Sequence, residues 1–360
     1  MAFNTQILLM ARQARSLSQA ALAKKAKVSQ GQLSKIENAQ QEPSPEIIDL
    51  LANALGFPAS LFEQNDQVYG LPLSVQPLYR KKASTAQKVL GRVSADINIR
   101  LMHLRRLLRS LDFEAVRDIP DLDPDLHGSP EQIAQKLRRF WQMPDGPVED
   151  LSGWVEDAGI VVIECDFENA SIAGVSYSIP DLPKCIFLAQ GMVPDRWRFS
   201  LAHELGHIVM HQLPRPIDQD LEEEANRFAA EFLMPATDIK RELSRGKISL
   251  DRLALLKPKW KVAISALLYR AQQLNSINKN QAQYMWRKMS AMGIRLREPV
   301  QYDFKPEEPR LMKQFFKIHF NDLGYSRQDI ADLLCVTQTE LGRLYSSFWP
   351  KFENRHLSVV

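Results

Sequence analysis

The sequence predicts a multidomain, mainly α-helical protein in which one section also contains a small β-sheet. Apolar residues recur at helical spacing through most of the 360 residues, as they do in amphipathic helices. Three short apolar runs lie close together between residues 160 and 188 and are bounded by Pro, Gly, Asp or Asn, as strands are. Gly70, Pro72 and Pro77 mark a linker. We therefore expect an all-α module at 1–65, a linker at 66–84, an α+β domain at 85–298 and a helical C-terminal region at 299–360.

The composition indicates folded domains and gives no sign of a membrane protein. Hydrophobic residues make up 45% and charged residues 25% of the chain, enough for two or three packed cores. No segment resembles a signal peptide, and no apolar run approaches the roughly 18 residues of a membrane span. We expect a cytoplasmic protein without membrane partners. Cys165, Cys185 and Cys335 are far apart and form no CxxC pair, so we expect three buried thiols.

A basic stretch, residues 80–109, begins within the end of the predicted linker. The net charge of the chain is only +3, but this stretch holds nine basic residues against the single acid Asp96. The nine are Arg80, Lys81, Lys82, Lys88, Arg92, Arg100, Arg105, Arg106 and Arg109. Such a segment fits two interpretations, a helix that lies along phosphate groups or an ordinary solvated helix face.

Residues 1–65 have the pattern of short helices separated by turns. Ser18 and Ser29 are typical N-cap residues, and a tight turn near Lys27 joins the two helices that follow them. Two helices crossed in this way can insert the second into the major groove of DNA. Gln19 and Asn38 lie where phosphate contacts would fix the register. The residues that would face base edges are Gln30, Gly31, Gln32, Ser34 and Lys35.

The run from Ser18 to Asn38 resembles the Cro/XRE-type helix-turn-helix. The resemblance implies double-stranded operator DNA as a partner, and it implies that Glu37 and Asn38 close the recognition helix. Lys27 is a departure, because the family usually has Gly in this turn. A left-handed Lys costs about 1 kcal/mol, so we expect a slightly altered turn. The implied core residues are Ala23, Val28, Leu33 and Ile36.

The section with strand patterns precedes two helices. Strands are expected at residues 160–163, 174–178 and 185–188, and helices at 195–211 and 220–232. A strand edge near Cys185 to Ala189 would be able to hold an extended peptide by strand addition.

The string HELGH, residues 203–207, places metal-ligand chemistry on the first of these helices. Positions i and i+4 of a helix share a face, so His203 and His207 can reach one tetrahedral metal ion and Glu204 can reach a metal-bound water. A catalytic zinc needs a third protein ligand and an open fourth position. Glu222 and its neighbours Glu223 and Glu224 all compete for that role.

The segments RFSLAHELGHIVMH and LEEEANRFAAEFLMP resemble the ImmA/IrrE family of metallopeptidase-like proteins. The resemblance extends from about Arg80 to Pro299 and implies a zincin-like metallopeptidase domain. It favours Glu222 as the third ligand, since this family and thermolysin-like enzymes carry the ligand Glu four residues before a polar residue that supports a ligand His. Asn226 would be that support, and Glu223 is the fallback ligand. The implied cofactor is one Zn²⁺ per chain, with another divalent metal such as Mn²⁺ as the alternative.

The implied reaction is metal-assisted hydrolysis of an amide bond. Zinc would lower the pKa of its bound water and polarise the scissile carbonyl, while Glu204 would take the proton and pass it to the leaving amine. Tyr177 and His211 are candidates for an additional oxyanion donor, although a histidine at the position of His211 is more often a helix-end residue.

The C-terminal region carries a second pattern of helix-turn-helix type. Its second helix would present Gln338, Thr339, Glu340 and Arg343, and Glu340 would repel phosphates. We therefore expect packing or dimer contact here rather than DNA reading. The apolar positions of the pattern are Ile330, Leu333, Leu334, Val336, Leu341 and Leu344.

Together these features predict a bacterial or phage DNA-binding transcriptional regulator whose zinc metallopeptidase domain cleaves a repressor or the chain itself. A homodimer is expected, because one small reading head covers few base pairs and two-fold operators match two-fold proteins. One alternative is a non-catalytic repressor or an antitoxin of a toxin-antitoxin pair, in which the zinc-type domain senses a ligand or binds a partner protein. Another is a peptidase whose helix-turn-helix only docks onto a separate repressor.

Overall fold

The computed structural model describes residues 3–72, 84–167, 172–211, 220–295 and 297–349. The fold class is confirmed, because helices dominate the structure and the sheet has three strands. All three cysteines are buried, and none of them forms a disulfide. In the described ranges, none of the helices has the length and apolar character to span a membrane. The described residues form two compact units: those within 1–113, 165–171 and 310–360 belong to unit 1, and those within 114–164 and 172–309 to unit 2.

The N-terminal module of unit 1 is built from short capped helices. Helices α1 to α3 each begin after a side chain that accepts hydrogen bonds from free backbone N–H groups, namely Asn4, Ser18 and Ser29. The elements are α1 (Thr5–Ala14), α2 (Gln19–Ala26), α3 (Gln30–Glu37), α4 (Pro45–Leu55) and a 3-10 helix (Ala59–Glu63).

The turn between α2 and α3 is left-handed although it holds a lysine. Lys27 ends α2 in the left-handed region, at φ 57° and ψ 35°. Leu33 and Ile36 are fully buried and Ala23 is 3% exposed, whereas Val28 is partly exposed. Burial of α3 on one side therefore leaves its other side at the surface.

Helix α5 (Ser84–Leu108) follows in unit 1, and some basic residues of the stretch are buried in it. Arg100 is buried beside Asp96, and Arg106 is buried and pairs with Asp66 at 2.6 Å. For these two arginines both interpretations of the stretch are wrong, because each guanidinium is enclosed with a carboxylate. Residues 73–83, which include Arg80, Lys81 and Lys82, lie outside the described residues.

Unit 2 places helices around a small sheet. Its strands are β1 (Val161–Cys165), of which Cys165 clusters with unit 1, β2 (Gly174–Tyr177) and β3 (Cys185–Ala189). Its helices are α6 (Pro124–His127), α7 (Pro130–Phe140), α8 (Leu151–Asp157), α9 (Pro194–Met210), α10 (Leu221–Leu233), α11 (Ala236–Leu243), α12 (Leu250–Trp260), α13 (Ile264–Gln273) and α14 (Lys279–Ala291).

The strand order is β1-β3-β2, and β2 pairs antiparallel with β3 from Gly174 opposite Leu188 to Tyr177 opposite Cys185. The expected peptide-binding edge near Cys185 to Ala189 is therefore wrong. β3 is the central strand, so neighbouring strands already occupy both of its hydrogen-bonding edges.

Three α-helices complete unit 1: α15 (Leu311–Lys317), α16 (Arg327–Leu334) and α17 (Gln338–Tyr345). The pair α16–α17 repeats the helix lengths and the caps of α2–α3. In both pairs an eight-residue helix ends on a left-handed residue, Lys27 or Cys335. A hydroxyl N-cap, Ser29 or Thr337, then opens a second helix of eight residues. The C-terminal pattern is thus a helix-turn-helix in its backbone as well as in its sequence.

The compact units differ from the predicted domain limits. Helix α5 falls inside the predicted domain at 85–298, yet it clusters with the N-terminal module and with the residues from 310 onwards. It packs against α1 and α16, and its residues Leu104 and Leu107 are fully buried. These contacts are distant along the chain, so a local pattern does not encode them.

Candidate metal centre and nucleic-acid interface

Two helices of unit 2 bring three metal-binding side chains together. Helix α9 carries His203 and His207 one turn apart, and α10 carries Glu222 in its first turn. The helices approach closely at Gly206, where a Cβ atom would lie 3.0 Å from the Phe228 ring. A glycine here therefore lets the first turn of α10 reach both histidines.

The potential ligand atoms of His203, His207 and Glu222 all lie within 4.8 Å of one another. The two Nε2 atoms are 3.1 Å apart, and the Glu222 oxygens lie 3.4 Å and 3.2 Å from Nε2 of His203 and His207. Two imidazoles and a carboxylate form a donor set that suits zinc and other first-row divalent ions. Glu223, the fallback ligand, is exposed and lines a cavity instead.

Each of these histidines is also held through its Nδ1 atom. His203 Nδ1 lies 3.1 Å from Asn226 Oδ1, the support expected from the family resemblance. His207 Nδ1 lies 2.8 Å from His211 Nδ1, and His211 Nε2 lies 2.9 Å from Glu224 Oε2. Partners of this kind fix the ring orientation and leave Nε2 for a metal ion.

The sequence pattern did not reveal the support from His211 and Glu224. In the sequence, Glu224 was one of three competitors for the third-ligand role, and His211 was a candidate donor to the oxyanion. The available signal was the four-residue spacing from His207 to His211, which puts both rings on one helix face. The contact with Glu224 depends on how α10 packs against α9.

The electrostatics of the site favour a bound cation. Burial raises the pKa of Glu222, but hydrogen bonds with His203 and His207 outweigh it and lower this pKa to about 2. Burial lowers the pKa of His203, but its hydrogen bond with Glu222 and the nearby charge of Glu204 raise it above the ordinary value. The carboxylate therefore stays ionised and attracts positive charge, which protonated imidazoles or a metal ion can supply.

Glu204 supplies a second carboxylate with unsatisfied bonding capacity. It is only 5% exposed, and its Oε2 has no hydrogen-bond partner within the described ranges. Gly174 of β2 lies against it, since a Cβ atom there would be 2.8 Å from Glu204 Cγ. A buried oxygen without a protein partner usually contacts water or an ion. The residues present therefore fit a metal ion with an associated water.

In unit 1, α3 presents a polar outer surface. Its apolar residues Leu33 and Ile36 face the core. A side chain at Gly31 would meet open space, since nothing lies within 4 Å of a Cβ atom there. The predicted base-reading residues divide into the exposed Gln30, Gly31 and Lys35 and the partly exposed Gln32 and Ser34.

The two residues expected to contact phosphates have partners inside the module. Gln19 donates to Glu37 at 2.7 Å, and Glu37 also accepts two hydrogen bonds from Arg12 at 2.6 and 2.9 Å. Asn38 donates to the Ser34 carbonyl at 2.8 Å. These bonds connect α1, α2 and α3, and the phosphate contacts themselves remain a prediction.

In the C-terminal pair α16–α17, Glu340 does not face outward. It is 6% exposed and accepts hydrogen bonds from Arg15 at 3.1 Å and Arg343 at 2.8 Å. The repulsion of phosphates expected from Glu340 is therefore wrong, because its charge is buried and paired. A different residue disfavours DNA binding by this pair. Asp332 of α16 is exposed and occupies the position that the exposed Lys24 has in α2, so a negative charge replaces a positive one.

Two families match the chain, one at each of these sites. Residues 155–272 match the M78 peptidase model described as the IrrE N-terminal-like domain. Residues 8–62 match the model described as helix-turn-helix. The chain thus joins a helix-turn-helix of Cro/XRE type to an IrrE/ImmA-like domain in the predicted order. No curated protein matches the chain significantly.

Proposed function

We propose that the protein is a DNA-binding transcriptional regulator whose IrrE-like domain is a zinc-dependent endopeptidase that cleaves a repressor, or this chain itself, to switch transcription. The observation that carries the proposal is the convergence of His203, His207 and Glu222 beside Glu204, whose buried Oε2 has no hydrogen-bond partner among the described residues. The helix-turn-helix at the N-terminus supports the regulatory role.

In this mechanism His203, His207 and Glu222 would hold the zinc ion. The chemistry that bound zinc supplies is activation of a water molecule and polarisation of the scissile carbonyl. Glu204 is the general base, which takes a proton from the attacking water and delivers it to the leaving amine. Tyr177, whose ring packs edge-on against Phe187 at 5.8 Å, remains a candidate for the oxyanion donor.

The regulatory half of the proposal assigns operator reading to α3. Gln30, Gln32 and Lys35 offer amide and ammonium groups that suit adenine and guanine edges in the major groove. A single recognition helix covers few base pairs, so we propose a homodimer on a two-fold operator.

A second candidate is a non-catalytic repressor or antitoxin whose IrrE-like domain senses a ligand or binds a partner protein. A cavity of about 640 Å³ in unit 2 favours it, because the cavity is lined in part by Asn226, the residue that supports His203. Cavities of this size are typical of small-molecule sites.

The deciding experiment compares wild type with Glu204→Gln in cells by mass spectrometry of protein N-termini. Glu223→Gln is the matched control, since it changes a neighbouring exposed acid outside the ligand set. A cut in a repressor, or in residues 66–84 of this chain, that needs Glu204 but not Glu223 supports the peptidase. No difference under several stresses, with zinc bound in all three proteins, favours the second candidate.

A further inference from the structure

The cavity in unit 2 lies beside the metal ligands without including any of them. Helices α9, α10, α13 and α14 all contribute to its walls. Phe199, Ala230, Ala266 and Trp286 provide apolar and aromatic surface, one from each of these helices in turn. A volume of about 640 Å³ falls inside the usual range for small-molecule pockets. The walls therefore suit an aromatic or branched apolar group.

Two cations of the lining have no carboxylate partner in the part of the chain that the structure describes. Arg196 and Arg295 are both exposed, and neither forms an ion pair with any residue that the structure describes. Arg295 lies over the Trp286 ring at 5.9 Å from its centroid. Guanidinium groups beside an aromatic wall recognise an anion that is attached to a flat apolar body.

The remaining cations of the lining are already neutralised. Arg227 pairs with Glu131 at 2.8 Å, and Arg297 pairs with Asp303 at 3.3 Å. Lys257 is 1% exposed and is enclosed by three carboxylates, those of Asp195, Glu298 and Asp303. Within the described residues, Arg196 and Arg295 are therefore the two lining cations that form no ion pair, against one such acid, the exposed Glu223.

Asn226 connects the cavity with the metal centre. Its Oδ1 is the partner of His203 Nδ1, whereas its Nδ2 donates no hydrogen bond to any described residue. The residue lines the cavity, so its amide N–H groups are available to an oxygen atom of a bound molecule. The same residue thus contacts a ligand histidine and contributes to the wall of the cavity.

We propose that this cavity binds a small carboxylate with an aromatic or branched apolar body, and that its occupation is transmitted to the metal centre through Asn226. The carboxylate is recognised by Arg196 and Arg295 and also accepts a hydrogen bond from Asn226 Nδ2, and the apolar body lies between Phe199 and Trp286. The transmission rests on the proposed metal centre, but the binding does not.

The direction of the coupling follows from the polarity of an amide. An oxygen that accepts from Nδ2 of Asn226 increases the negative charge on its Oδ1, because hydrogen bonds in a chain polarise one another. The bond to His203 Nδ1 then becomes stronger, and His203 becomes a better ligand. Occupation of the cavity is therefore expected to slow metal release.

Binding is tested by calorimetry with 2-naphthoate and its neutral analogue 2-naphthylmethanol on the full chain. We expect the carboxylate to bind at least about tenfold more tightly, since charge-assisted hydrogen bonds are about twice as strong as neutral ones. Ala266→Trp fills the cavity and should abolish binding of both probes. Leu255→Trp is the control, because Leu255 is 69% exposed and lies outside the lining.

The charge recognition is tested by the double change Arg196→Gln and Arg295→Gln, which should reduce the preference for the carboxylate to about twofold or less. Three results would overturn the binding proposal. They are no binding of 2-naphthoate at millimolar concentration, equal binding of the alcohol by wild type, and binding that survives Ala266→Trp.

The coupling is tested by the rate at which a chelator removes zinc from the loaded protein. Saturating 2-naphthoate should slow release at least about threefold in wild type. Asn226→Asp keeps an acceptor for His203 but removes the N–H donors, so this variant should show no slowing. Equal release rates with and without bound 2-naphthoate would overturn the coupling. A chain that binds 2-naphthoate but no zinc would refute the proposed metal centre and the coupling with it, and would leave the cavity proposal standing.

Discussion

Replacing Asn226 by alanine tests whether the supports behind the ligand histidines contribute to metal binding. The change removes the oxygen that lies 3.1 Å from His203 Nδ1. Loss of such a support costs about 10- to 100-fold in metal affinity, or about 1.4 to 2.8 kcal/mol. Asn226 lines a cavity, so water can replace part of the lost bond. We therefore expect a loss near tenfold, and a larger one for Glu222→Ala, which removes one of the three ligands and should leave well under one metal ion per chain.

The assay is a competitive zinc titration of the purified metal-free proteins against a chromophoric chelator, with folding checked by circular dichroism. Glu223→Ala is the control and should bind zinc as wild type does. An affinity within twofold of wild type for Asn226→Ala would refute the argument that the support matters. Equal losses for Glu222→Ala and Glu223→Ala would refute the ligand assignment.

Three further predictions address the general base, the DNA interface and the C-terminal helix pair. Gly174→Ala should displace the general base, because the added Cβ would lie 2.8 Å from Glu204 Cγ. We expect peptide cleavage to fall about 100-fold while the zinc content stays unchanged. Full activity in a peptidase assay would contradict this prediction. Changing Gln30 and Lys35 to alanine should weaken operator binding at least about tenfold without loss of metal, and an unchanged footprint would remove α3 from the groove. Glu340→Gln should lower the thermal stability at pH 7. The pKa of Glu340 lies below its ordinary value of 4.5, since hydrogen bonds from two arginines outweigh the opposing effect of burial. Its stabilisation is therefore complete above that ordinary value and disappears as the pH falls through the lower folded-state pKa, so a stability difference undiminished at pH 2 would contradict the prediction.

Local patterns were sufficient to predict the helices that carry both sites. N-cap residues and apolar spacing predicted α2 and α3, and Lys27 takes the left-handed conformation expected of its turn. The HELGH string predicted that His203 and His207 share a helix face, because the helical repeat alone decides it. Such features depend on residues a few positions apart, so they are encoded in the local sequence.

The packing of the helices determined the different contacts of the three neighbouring glutamates on α10. Glu222, Glu223 and Glu224 are consecutive, yet the first lies beside both ligand histidines, the second lines a cavity and the third pairs with His211. Successive positions on a helix point about 100° apart, and only the packing of α10 against α9 determines which direction meets the histidines.

The sequence by itself determined the two family resemblances, the candidate ligand residues and most of the helices, because each is carried by residue types at short, regular spacing. The tertiary structure alone decided that α5 clusters with the N-terminal module, that β3 is a central strand and that Glu340 is buried between Arg15 and Arg343. It also placed Asn226 between a ligand histidine and a cavity. These features join residues that are distant along the chain, and the burial and pairing of such residues depend on how the helices pack against one another.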